Sequence, residues 1–172
     1  MRFSAIAVLS LTAAAVALPT KRQAGPVLAD TTYDAISISG GTAGNAEAEA
    51  LAVFSALDLE NPENIDPADL EFLSNVNSVA NDAEVEAFNT AIEAAGDGAE
   101  ADALQAGKIK NKVLKLEATM IRLLAEQAQG EDVAAEIAAE QTKLDNNIAQ
   151  DAEVAGSPST ALPFDATISG GN

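Results

Sequence analysis

Ile109, Val113, Leu116, Met120 and Leu123 recur at spacings of four, three, four and three residues. At about 100° per residue, all five fall within about 40° of one direction on a helix. Leu114, Ile121 and Leu124 broaden that apolar arc to one side. An arc so wide cannot be covered by a single neighbour. It predicts a central helix from about Glu100 to Gln129, stopped by Gly130, with other elements packed around it.

The flanking sequence supplies those elements. Ala46, Ala50, Val53 and Leu57, with Phe54, predict a helix over Gly44 to Leu57. Asp66-Pro67 reads as an N-cap followed by proline at the first helical position. The helix it opens uses Leu70, Phe72, Leu73 and Val76 and is expected to break around Asn81-Asp82. A third helix should carry Val85, Phe88 and Ile92 and end near Gly96-Asp97-Gly98. After Gly130, Val133, Ile137, Leu144 and Ile148 align on a helix from about Asp132 to Gln150, paired with the central one as an antiparallel hairpin. The expected fold is all-α, a compact bundle of about five helices over 42–155. The same heptad-like spacing would also suit an intermolecular coiled coil, which the many alanines disfavour.

Composition narrows the chemistry. The chain has 27 acidic and 9 basic residues among 172, a net charge of -18, and no Cys, His or Trp. Without Cys there is no disulfide framework, thiolate metal site or cysteine nucleophile. Without His there is no imidazole acid/base and no Ser-His-Asp triad. So acidic a chain is poorly suited to nucleic acid, whose phosphates dominate affinity. Much of the hydrophobic content is Ala, which with Glu favours helix. Neither a P-loop nor a dinucleotide fingerprint is present. The acidic run from Glu60 to Glu71 lacks the glycine and alternating ligands of an EF-hand, leaving at most weak calcium binding. Paired carboxylates could hydrolyse glycosides, but the aromatic platforms of such clefts are missing. The expectation is no enzyme activity, no cofactor and no metal.

The ends carry processing signals. Arg2, the apolar run Ile6 to Val16 and Ala15-Val16-Ala17 form the three parts of a signal peptide over 1–17, with cleavage after Ala17. The run is shorter than the roughly 20 residues a bilayer-spanning helix needs. Residues 18–22 read as a short pro-segment ending in the dibasic site Lys21-Arg22. Loss of 1–22 removes three bases and no acid, so the net charge becomes -21. No transmembrane or lipid anchor is expected, and the product should be secreted. An extended lead over 23–41 and an extended tail over 156–172 flank the bundle. Ile36 and Ile38 alternate with Ser, as in a short edge strand. Tyr33-Asp34-Ala35 followed by Ile38-Ser39-Gly40-Gly41 is echoed by Phe164-Asp165-Ala166 and Ile168-Ser169-Gly170-Gly171, which suggests that the two ends dock side by side.

Charge is uneven. From Asp30 to Asp102 there are seventeen acids and no base; Lys108, Lys110, Lys112, Lys115 and Arg122 then gather on the central helix. Lys108, Lys112, Lys115 and Arg122 share one flank and are the candidate contact patch. Such a stripe also lowers self-repulsion by facing acidic elements.

Tyr33 to Ala46, Val79-Ala80-Asn81-Asp82-Ala83-Glu84, Gly107 to Leu116 and Lys143-Leu144-Asp145-Asn146-Asn147-Ile148 resemble segments of small secreted proteins of filamentous ascomycete fungi, candidate effector-like proteins. The resemblance spans nearly all of the chain after the leader and implies no catalytic residues. Taken with it, the expectation is a secreted, non-enzymatic protein that acts through contacts with an extracellular or host protein or surface. The alternative is a helical-bundle lipid carrier or hydrophobic-surface-binding protein, with the broad arc of the central helix lining its cavity.

Overall fold

The computed structural model describes residues 25–170. The signal peptide, the pro-segment and the candidate processing residues Ala17, Lys21 and Arg22 lie outside the described residues, as does Gly171. The fold is mostly helical, with two small sheets that the all-α expectation did not include. In chain order the elements are β1 Thr31–Thr32, the single turn α1 Tyr33–Ile36, β2 Gly41–Thr42, α2 Ala46–Val53, a 3-10 turn Pro62–Asn64, α3 Pro67–Asp82, a π-turn Ala83–Phe88, α4 Asn89–Ala95, α5 Ala99–Ala128, α6 Ala134–Glu153, β3 Pro158–Ser159 and β4 Thr167–Ile168. Among the described residues no helix is long and apolar enough to cross a membrane.

The start of α3 follows its sequence signal: the Asp66 carboxylate accepts from Ala68 N–H at 2.9 Å, and Pro67 opens the helix. The expected break at Asn81-Asp82 is absent. The chain passes instead through the π-turn, where Asn89 N–H donates to Glu84 O, five residues back. The wider turn changes the register. Ala80 and Ala83 are buried at helical spacing, and the next buried side chain is Phe88, five residues on. Val85, expected in the core, is 56% exposed. The α2 helix is shorter than expected because the chain leaves it at Phe54, which is itself buried.

The α5 helix is central, as its arc requires. Tyr33, Phe54, Leu73, Val76, Val113, Leu114, Leu144 and Ile168 are among the buried side chains of the core around it. Gly130, at φ 105°, ends the helical run, and α6 returns along α5. Leu144 is buried on α6, with Ile137 and Ile148 partly buried.

The two ends do lie side by side, though not as the Ile36/Ile38 alternation implied. Tyr33–Ile36 is a helical turn, and the strands fall on either side of it. β1 pairs antiparallel with β4, Thr31 opposite Ile168, and β2 with β3, Gly41 opposite Ser159. The echoed aromatics meet: the Tyr33 and Phe164 rings stack edge to face at 5.9 Å, and Asp34 accepts from Phe164 N–H at 3.0 Å.

Buried polar groups fix these segments to the helices. The Asp69 carboxylate accepts from Val27 and Leu28 N–H. Tyr33 Oη donates to Asn111 Oδ1 at 2.8 Å, while Asn111 Nδ2 donates to Ala80 O. The fully buried Lys110 ammonium pairs with Glu49 at 2.7 Å and donates to Gly40 O at 2.8 Å and Thr42 O at 3.2 Å. Asp151 on α6 accepts from Ala46 N–H at 2.9 Å, supplying the α2 N-terminus with the cap that Asn45 does not give.

Gly107 lets the tail cross α5 at close range. Thr160 N–H donates to Ala103 O at 2.9 Å, and a Cβ at Gly107 would collide with the Thr160 carbonyl and lie 3.2 Å from Phe88 Cε1. Helix propensity alone favours Ala over Gly by about 1 kcal/mol. Gly107→Ala should nevertheless destabilise the protein by about 1–3 kcal/mol through overpacking. Thermal unfolding followed by circular dichroism checks the sign: a raised midpoint would contradict the close crossing.

Candidate functional site

The basic flank is divided rather than gathered. Lys108 Nζ donates to Asn89 Oδ1 at 2.8 Å. Lys115 pairs with Glu84 at 2.9 Å and reaches Asn81 at 3.2 Å, tying α5 to the π-turn. Arg122 pairs with Glu126 one turn on. Lys112, by contrast, makes no hydrogen bond or ion pair among the described residues. It lines a polar hollow of about 330 Å³ together with Lys115, Lys143, Asn77, Asn81 and Asn147. Three of the four flank residues therefore already serve contacts within the fold, and Lys112 keeps the freest charge.

A different site lies further along α5. Leu51 from α2, Leu59 and Pro62 from the following loop, and Met120, Ile121 and Leu124 from α5 line an open groove of about 380 Å³. Leu51, Leu59 and Leu124 are 37%, 41% and 43% exposed and are three of the six large apolar side chains left exposed among the described residues. Leu124, read from the sequence as core, is thus groove wall. The α2 helix is too short to cover this part of the α5 arc, and the loop after it swings wide through Pro62.

One carboxyl sits among these apolar walls. Glu117 lines the groove and is only 5% exposed. It makes no hydrogen bond or ion pair among the described residues. Burial, and secondly the charge of Glu47 on α2, push its carboxyl up to about 7. The signal was present in the sequence and was missed: at about 100° per residue, Glu117 falls between Met120 and Ile121 on the apolar arc. A lone acid inside such an arc either finds a partner or raises its pKa.

A larger depression, of about 490 Å³, lies toward the start of α5 beside Asp102, Ile109 and Val154. Its walls include several alanines and the tail segment Ser157-Pro158, and no buried titratable group faces it. The Glu117 groove combines exposed aliphatic walls with a largely buried acid that no group of the described residues pairs.

The pH dependence of stability follows from Glu117. The folded chain holds this proton up to about 7, against an ordinary value of 4.5. Its contribution to stability is complete below the unfolded value, falls as the pH rises from about 4.5 to about 7, and levels off above. Glu117→Gln should match wild type at about pH 4 and exceed it by about 1–3 kcal/mol at about pH 8. Urea unfolding at the two pH values measures the difference.

Comparison with known proteins gives one match. Residues 28–163 match the family described as Domain of unknown function (DUF8454). No curated protein and no solved structure matches the chain. The match covers β1, β2, β3, all the helices and the groove, stopping short of β4, and the chain belongs to this family.

Proposed function

We propose that the protein is a secreted, non-enzymatic binding protein that takes an apolar chain in the Glu117 groove. The observation that carries this reading is the convergence of exposed Leu51, Leu59 and Leu124 on one concave site of the bundle. Here Met120, Ile121 and Leu124 of the α5 arc lie open beside α2 and the loop after it. The signal-peptide pattern of residues 1–17 and the resemblance to small secreted fungal proteins support an extracellular role. The absence of His and Cys supports binding rather than chemistry.

The test is uptake of a neutral solvatochromic dye such as Nile red by purified protein, compared between wild type and Leu124→Glu. Leu124 is already 43% exposed, so a charge there should leave the fold intact while spoiling the groove. Affinity should fall by about tenfold or more, in line with the 1–2 kcal/mol of a lost aliphatic contact plus a desolvated charge. Equal binding by both proteins would move the apolar site elsewhere.

A second reading is favoured by Lys112, whose charge no partner takes among the described residues. In it, an acidic extracellular partner docks over the hollow between α3, α5 and α6, where Lys112 stands beside Lys115 and Lys143, themselves paired with Glu84 and Glu140. Lys112→Glu should abolish capture of that partner without changing the unfolding midpoint by more than about 2 °C, as expected of a half-buried charge with no ion pair to lose.

A further inference from the structure

The reading of the groove as a binding site leaves open what chemistry its occupant carries, and the charges around it decide this. We infer that the groove selects cationic amphiphiles: aliphatic primary amines whose chain lies along Leu51, Leu59, Met120 and Leu124 and whose ammonium meets the Glu117 carboxylate. This rests on the apolar-chain reading above and deepens it.

Three observations converge on that class. First, Glu117 as a residue is 95% removed from solvent, its carboxyl oxygens keep contact with the open groove, and no N–H, O–H or cation of the described residues pairs with it. Buried carboxylates are ordinarily paired, and an unpaired one costs several kcal/mol unless protonated. An ammonium supplied by a ligand completes the site as Lys110 completes Glu49 two turns earlier on the same helix.

Second, the surroundings of Glu117 offer an anionic head nothing. From α2 it is faced by Glu47, a like charge. The other groove elements contribute Leu59, Pro62, Met120, Ile121 and the uncharged Gln127. The nearest bases along α5, Lys115 and Arg122, are already paired with Glu84 and Glu126. A fatty-acid carboxylate would bring a third negative charge to this end of the groove.

Third, the net charge of -18 makes the long-range field attractive to cations and repulsive to anions. Local and global electrostatics therefore select the same sign of head group. The exposed leucines supply affinity for the chain, and Glu117 supplies the discrimination.

Displacement of Nile red by decylamine, decanol and decanoate tests this at about pH 8, where the Glu117 carboxylate and the amine are both charged. Wild type should bind decylamine about tenfold more tightly than decanol, and decanol more tightly than decanoate. Glu117→Gln should lower decylamine affinity to that of decanol while leaving decanol unchanged. Glu153→Gln, an exposed α6 residue whose substitution makes the same change in net charge, should keep the preference for amine. At about pH 5, where Glu117 is protonated, wild type should bind decylamine no more tightly than decanol, as Glu117→Gln does at about pH 8.

Equal binding of decylamine and decanol by wild type would overturn the inference and leave the groove reading standing. So would an amine preference that survives Glu117→Gln, or one that Glu153→Gln removes as well. Failure of all three compounds and of the dye to bind would remove the groove reading together with it.

Discussion

The architecture depends on a lysine ammonium held with no solvent exposure on the central helix. Burying a charge costs several kcal/mol unless the partners are close and numerous. Lys110 has three: the Glu49 carboxylate and the carbonyls of Gly40 and Thr42. Two of these belong to the segment entering and forming β2, and one to α2. A single side chain thus fixes the N-terminal lead and the first full helix against α5. The next residue, Asn111, extends the clamp by taking Tyr33 Oη on one side and Ala80 O on the other. Breaking either would leave polar groups unsatisfied where water cannot reach, which is why such clusters specify one arrangement.

This clamp explains how a chain without cysteine secures both ends. The strands are only two residues long and would not persist alone. They are backed by side-chain bonds to helices or to neighbouring segments. Asn75 on α3 donates to Ser169 O at 2.7 Å, beside β4, and Ser159 Oγ on β3 donates to Ser39 O at 2.6 Å, ahead of β2. Gly107 then allows the tail to lie directly on α5. The lead and the tail are thus held against both α3 and α5.

Much of this was legible in the sequence. The spacing of Ile109 to Leu123 places α5, the Asp66-Pro67 pair starts α3, and Gly130 ends the helical run before α6. The echo of Tyr33-Asp34 in Phe164-Asp165 anticipates that the ends meet. What failed did so for physical reasons. A π-turn has no composition of its own, so a register shift at Ala83 looked like a break, and Val85 was assigned to the wrong face. Two-residue strands are made by tertiary pairing rather than by propensity, so neither sheet could be read from Gly41-Thr42 or Pro158-Ser159. The basic run was read by its flank, yet the lysine that matters most to the fold, Lys110, lies off it. A charge on an apolar face is easily dismissed as noise when its partner is far away in sequence, as Glu49 is.

Lys110 and Glu117 stand seven residues apart on one helix, so they present to nearly the same direction. Both are buried, and both lie toward α2, which offers Glu49 to the first and Glu47 to the second. The pairing that stabilises one therefore becomes repulsion at the other. A chain selected for stability alone would carry Gln, Leu or Met at position 117, each of which satisfies the apolar arc without the cost of an unpaired acid. Conflicts between local chemistry and the surrounding fold are expected where a site must remain incomplete until something binds. The same helix thus uses one buried charge to close the fold and a second, left without its counterion, to hold the groove open to a ligand that carries one.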